Sequence, residues 1–215
     1  LFTTFDKTMI GILSPNPDYD NGCYDQAYKI NNIAQSFIII FSSVMIPRNV
    51  YAYKTGDIET MNNNIYKTGR YIWFSSLFFI AGFFVLSNNF CSWFLGDGYT
   101  EVPILMYIMT IRLLVSGFSI MLGDRFIAMD KERYWMLSVL VGAVMNIGIN
   151  AALIPMFGAI GATIATAACE IGIFLIMCVL TFYKKRLSFK RVFASVWRYA
   201  ISAAEMFCIM FIMQS

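Results

Sequence analysis

The chain has 215 residues, 59% of them hydrophobic and only 13% charged, with a net charge of +3. Soluble domains run nearer 45–50% apolar and about 25% charged, so a water-soluble core is excluded and a polytopic membrane protein is expected. The basic residues lie between apolar blocks and form no stripe with interleaved aromatics, so no nucleic-acid partner is implied. There is no histidine, the usual proton shuttle and commonest metal ligand. The five cysteines show no C-x-x-C spacing, which leaves a zinc or thiol-redox site without support.

In chain order, seven apolar segments are expected to span the membrane: 1–14, 30–47, 71–92, 102–123, 134–155, 158–182 and 194–213. The first is too short to cross a bilayer, and it reads as the cut end of a membrane helix. The uncharged stretch 134–169 is too long for one span, and "IPMFG" at 154–158 supplies the Pro and Gly for a tight hairpin. The last segment also fits a basic amphipathic helix lying on the membrane, but its apolar run is long enough to insert. The runs are continuous and do not alternate every second residue, so a β-barrel is excluded.

Loop charges set the direction. Arg48, Lys54, Lys67 and Arg70 fall after the second span, and Arg125, Lys131 and Arg133 after the fourth. Lys184, Lys185, Arg186, Lys190 and Arg191 follow the sixth. The alternate loops are nearly bare. By the positive-inside rule, loops 48–70, 124–133 and 183–193 are cytoplasmic.

Charges within spans are costly and face a bundle interior or a wet cavity. Asp6, Lys7, Arg112 and Glu170 are such charges. Counted from the outer helix ends, Arg112 and Glu170 lie roughly 15–18 Å deep, at matching depth on different helices. Ser138, Gly142, Asn146 and Asn150 recur every four residues, and Thr163, Thr166 and Glu170 share another face. The second span carries Asn32, Gln35, Ser36 and Ser43. These polar stripes suit a hydrated substrate pathway, but they equally suit polar glue between membrane helices. Asp124 and Arg125 sit at a cytoplasmic helix end, where loop solvation explains them at least as well as gating.

No G-x-S-x-G elbow, phosphate-binding glycine loop or HExxH is present, and no connecting segment is long enough to hold a soluble catalytic domain. The chain reads as no enzyme.

Four stretches carry a resemblance. "FDKTMIGILSPNPDYDNGCYDQAYKI" opens the chain, "VMIPRNVYAYKTGD" covers 44–57, "FLGDGY" covers 94–99 and "NAALIPMFGAIGATIATAACE" covers 150–170. In order and spacing they resemble the polysaccharide-exporter branch of the multidrug/oligosaccharidyl-lipid/polysaccharide superfamily, the O-antigen and capsule-repeat flippases of bacteria. The resemblance implies an all-α, MATE-like fold of two lobes. This chain would supply the second six-helix lobe (1–183), then a basic linker and one further transmembrane helix (184–215), without the N-terminal lobe. It implies a bacterial inner-membrane transporter that moves an undecaprenyl-diphosphate-linked oligosaccharide outward by alternating access. Partners would be that lipid, membrane lipids and other polysaccharide-assembly membrane proteins, with no cofactor beyond a coupling H+ or Na+. Asp6 and Lys7 match the charged pair of the family's seventh helix, and Arg48 the Pro-Arg corner after the eighth. Substrate-pathway candidates are therefore Asp6, Lys7, Arg48, Arg112, Asn146, Asn150 and Glu170. A drug/cation antiporter of the same superfamily, a membrane-embedded polymerase or glycosyltransferase, and a structural membrane subunit are the alternatives.

Overall fold

The computed structural model describes residues 2–96, 98–182 and 196–214, and every regular element among them is helical. These are α1 (Phe2–Leu13), α2 (Pro17–Lys54), α3 (Ile58–Leu95), α4 (Val102–Ala128), α5 (Glu132–Phe182) and α6 (Val196–Gln214). Helices α2 to α5 are each long and apolar enough to cross a membrane, and α6 has a shorter apolar stretch, Tyr199–Ile209.

Helix starts follow from local chemistry. Pro17 opens α2 with Asp18 and Asp20 in its first turn. Proline lacks an N–H where none is needed, and carboxylates favour the positive end of the helix dipole. Asp57 caps α3 by accepting from the Thr60 amide at 2.9 Å, and its bonds from Thr60 hold its carboxyl below the usual range.

These caps correct the expected boundaries. The regions 15–29 and 48–70 are helical over nearly all their length, leaving short turns at 14–16 and 55–57. The physical reason is length. At 38 residues, α2 reaches about 57 Å against a hydrocarbon core of about 30 Å, so its polar ends project as helix beyond the bilayer. Hydropathy locates the lipid-facing part of a helix, not its ends.

Asp124 and Arg125 are a second correction. They are 9% and 2% exposed rather than solvated. α4 is the central helix, packed by α2, α3 and α5, so even its last turns are enclosed. Ser42 of α2 donates to Asp124 there.

Gly158 breaks α5 into two arms, 132–157 and 159–182, with φ 52° and ψ −129°. The arms fold back on each other: Met145 lies against Gly172, Leu153 against Gly161, and Asn146 bonds Thr166. Asp20 sits under this reversal, beside Gly158. The Tyr19 and Thr100 hydroxyls, 3.0 Å apart, bring the α3–α4 connection to the same end. At the other end Tyr53, Ile58, Arg125 and Met129 line one cleft, which joins the α2–α3 and α4–α5 turns. Lys54, Lys67, Arg70, Lys131 and Arg133 belong to this second end, so the basic residues of both turns gather at one end of the bundle. The third basic loop, 183–193, lies outside the described residues.

α6 runs along α3. Its Tyr199 ring meets Phe74 edge-on at 6.1 Å, and Met206 faces the groove at Phe83 and Phe90. Two apolar cores stack along the bundle. Tyr24, Leu105, Met106 and Ile154 fill the outer one, and Ile38, Ile65, Leu113 and Met177 the inner one. All five cysteines are free thiols.

A side chain at position 158 would have to adopt a left-handed backbone and would overlap the Asp20 carboxylate. Gly158→Ala should therefore lose about 2 kcal/mol or more in a thermal melt in detergent micelles. Gly148→Ala, which meets nothing within 4 Å, should melt at or slightly above the parent temperature.

Candidate functional site

Asp6 is wholly enclosed, at 0% exposure. Its carboxylate accepts from Tyr24 Oη at 2.5 Å, Asn150 Nδ2 at 2.6 Å and Thr166 Oγ1 at 2.6 Å. These donors come from α2 and from both arms of α5, so one side chain of α1 ties three other helical segments together. Asn150 Nδ2 also donates to Asn146 Oδ1 at 3.1 Å, and Asn146 Nδ2 reaches Thr166 Oγ1 at 3.5 Å. The four-residue spacing of Asn146 and Asn150 puts both on the inner face of their arm. Among the described residues, Asp6 makes no ion pair. Its charge is held by neutral donors alone. Asn150 Oδ1 is buried beside it without a hydrogen-bond partner. Carboxylate, amide and hydroxyl oxygens gathered this way form a hard donor set.

Arg112 and Glu170 meet in the same interior. Arg112 Nε lies 3.7 Å from Glu170 Oε1, with the side chains 14% and 13% exposed. The guanidinium sits over the Tyr28 ring, 5.5 Å from its centroid, and Tyr28 stacks with Tyr24 one turn earlier at 6.4 Å. Contact is therefore continuous from Asp6 through Tyr24, Tyr28 and Arg112 to Glu170. An aromatic face beneath a guanidinium supplies attraction that lipid would not.

Lys7 follows Asp6 on α1 and pairs with Asp25, which also holds Lys29 at 2.6 Å. On α2, Asp25, Lys29, Asn32, Ser36 and Ser43 fall within an arc of roughly 60° at 100° per residue. Among the described residues nothing covers Lys29, Asn32, Ser36 and Ser43, all of which are exposed. A second face of α2, about 110° round the helix from this stripe, carries the buried Tyr24, Asn31, Gln35 and Ser42. Gln35 there accepts from Ser116 at 2.9 Å and joins α2 to α4. Ser119, Ser138 and Thr163 bond to carbonyls of their own helices, which is packing chemistry.

Of the candidates, Asp6, Asn146 and Asn150 come together directly, and Arg112 with Glu170 joins them through two tyrosines. Lys7 stands at the rim. Arg48 does not join this group. It is exposed near the C-terminal end of α2, where it lines a cleft with Tyr51, Asp57 and Asn64. Sequence reasoning missed Tyr24, Tyr28 and Asp25, because 15–29 was taken as a loop. The available signal was "YDQAYK" (24–29), where Tyr24/Tyr28 and Asp25/Lys29 are both i,i+4 pairs, the spacing of one helical face.

With this geometry in place, comparison with known proteins adds one relative. The chain is 24% identical over 143 residues to the lipid II flippase MurJ of Bacillus subtilis (strain 168), a match covering 65% of this chain and 26% of that protein. The chain thus spans about a quarter of the length of the curated relative it matches. No family model matches, and no solved structure does. With the four long apolar helices, the likeness indicates a multi-pass membrane protein.

Removing one partner of a buried charge pair strands the other, whereas removing both does not. Arg112→Gln and Glu170→Gln should each lower the melting temperature in micelles, with a single-mutant cost of about 3 kcal/mol. The double variant should lie closer to the parent than either single one. Additive losses would mean the two side chains do not interact.

Proposed function

We propose that this chain is the C-terminal lobe of a flippase that carries a lipid-diphosphate-linked oligosaccharide from the cytoplasmic to the outer leaflet by alternating access. The observation that carries the reading is the largely enclosed Arg112–Glu170 pair, between helices whose exposed faces are mostly apolar. A charge pair there is expensive for a purely structural protein and suits a path for a charged headgroup. The open polar stripe of α2, from Asp25 to Ser43, supports the same path, and so does the likeness to a lipid II flippase. In this account Arg112 and Lys7 attract the diphosphate, as clustered cations offset phosphate charge. Asn146, Asn150 and Glu170 complete the interior polar surface. Arg48 serves the cytoplasmic mouth. Membership of the two-lobed architecture, with a further helix after the second lobe, belongs to this proposal.

Asp6 is the group proposed to take the coupling ion. It is buried, its partners are neutral, and an unpartnered amide oxygen lies beside it. H+ or Na+ binding would loosen its hold on α2 and α5 and so favour one conformation, provided affinity differs between the two states.

Two substrates share this chemistry. An O-antigen or capsule repeat unit is the first choice, from the sequence motifs. Lipid II is the second, favoured by the name of the relative. Arg112→Gln in the full-length protein should abolish transport while membrane abundance stays normal. Loss of surface polysaccharide would assign the repeat unit, and arrest of cell-wall growth would assign lipid II. Sensitivity to cationic dyes with neither effect would point to a drug antiporter instead, and full activity would remove Arg112 from the mechanism.

Asp6→Asn should leave substrate binding in place but make transport in vesicles insensitive to an imposed H+ or Na+ gradient. Retained dependence on the gradient would exclude Asp6 as the coupling group.

A further inference from the structure

Asp25 stands at one end of the polar stripe of α2 with no individual role assigned above, yet its carboxylate is fully engaged. Oδ1 takes the ammonium of Lys7 on α1, and Oδ2 takes that of Lys29 on α2 at 2.6 Å. The three side chains stay partly open, at 40% for Lys7, 25% for Asp25 and 62% for Lys29. All lie on or beside the uncovered polar stripe. Pinning α1 to α2 would require one lysine. The second lies on the same helix as Asp25 and adds no tie between helices. Two ammonium groups gathered on one carboxylate are instead the geometry of an anion site that already holds an anion.

We propose that Asp25 is a built-in stand-in for phosphate: it neutralises Lys7 and Lys29 at rest and is displaced when a diphosphate takes both lysines. A diphosphate brings more charge and more acceptor oxygens than one carboxylate, so it can win this competition although a monoanion would not. The exchange moves no covalent bond. It swaps one set of ion pairs for another and keeps the lysines from attracting small anions between cycles. The register couples the swap to the ion site. Asp6–Tyr24 and Lys7–Asp25 are consecutive pairs on the same two helices, so releasing one bears on the other. The inference rests on the flippase reading and adds the self-inhibition of its headgroup site.

The test is titration of the full-length protein in micelles with inorganic pyrophosphate and, separately, with farnesyl diphosphate. Asp25→Asn removes the internal competitor and should bind either probe about tenfold more tightly. Lys29 is largely exposed, so Lys29→Gln should fold normally, and it should bind about fivefold more weakly by losing one charge-assisted contact. Tighter binding of farnesyl diphosphate than of pyrophosphate would identify a lipid headgroup as the ligand, and equal binding a free diphosphate. An Asp25→Asn protein that melts like the parent but binds no more tightly would overturn the proposal. So would unchanged affinity in Lys29→Gln, whatever Asp25→Asn does. Either failure, alongside loss of transport in Arg112→Gln, would remove the role of Asp25 and leave the flippase reading standing.

Discussion

A carboxylate deprived of water must be given other partners, and Asp6 finds all of them on neighbouring helices. Three neutral donors, from α2 and from each arm of α5, replace its hydration shell. The rest of the bundle is arranged around that demand. The Gly158 reversal brings Thr166 back beside Asn146, which completes the donor set. The small residues Gly161, Ala162 and Ala165 let the returning arm approach closely. Tyr24 presents its hydroxyl to Asp6 and its ring to Tyr28, so the network continues sideways to Arg112.

The second consequence concerns which faces are dry. Exposed positions on α5, such as Leu140, Val144 and Val179, are large and apolar. The uncovered face of α2 instead interleaves Lys29, Asn32 and Ser36 with Ile33, Phe37 and Ile40. Hydrocarbon does not solvate ammonium and amide groups, so such a face needs water or a polar partner against it. Ionised groups thus divide into an enclosed set around Asp6 and Glu170 and an accessible set around Asp25. Tyr24 and Asp25, neighbours in sequence, belong one to each. An event in either set is felt by the same turn of α2.

The long apolar helices and the reversal at 154–158 were legible in the sequence, because each depends on local composition. The matching height of Arg112 and Glu170 follows from helical rise, which converts residue count into height, whereas their contact at 3.7 Å depends on how α4 and α5 pack. Helix ends were not legible from hydropathy. Residues 17–29 and 58–70 are polar helices extending past the bilayer, and their caps, Pro17 and Asp57, were the signals passed over. That error hid Tyr24, Tyr28 and Asp25. The burial of Asp124 and Arg125 was illegible for a different reason. It depends on α4 being the central helix, which is a property of the packing and not of the segment.

The central claim is that polar groups of α2 face an aqueous path while equally exposed apolar groups of α5 face lipid. Thiol labelling tests it directly, because maleimides react with a thiolate and a thiolate forms only where water reaches. Single cysteines would be placed at positions 32, 36, 144 and 179 of full-length protein cleared of its native cysteines, and labelled in native membranes. Rapid reaction at 32 and 36 with protection at 144 and 179 is the expected pattern. Protection at 32 and 36 equal to that at 144 and 179 would mean that no water-filled face exists along α2.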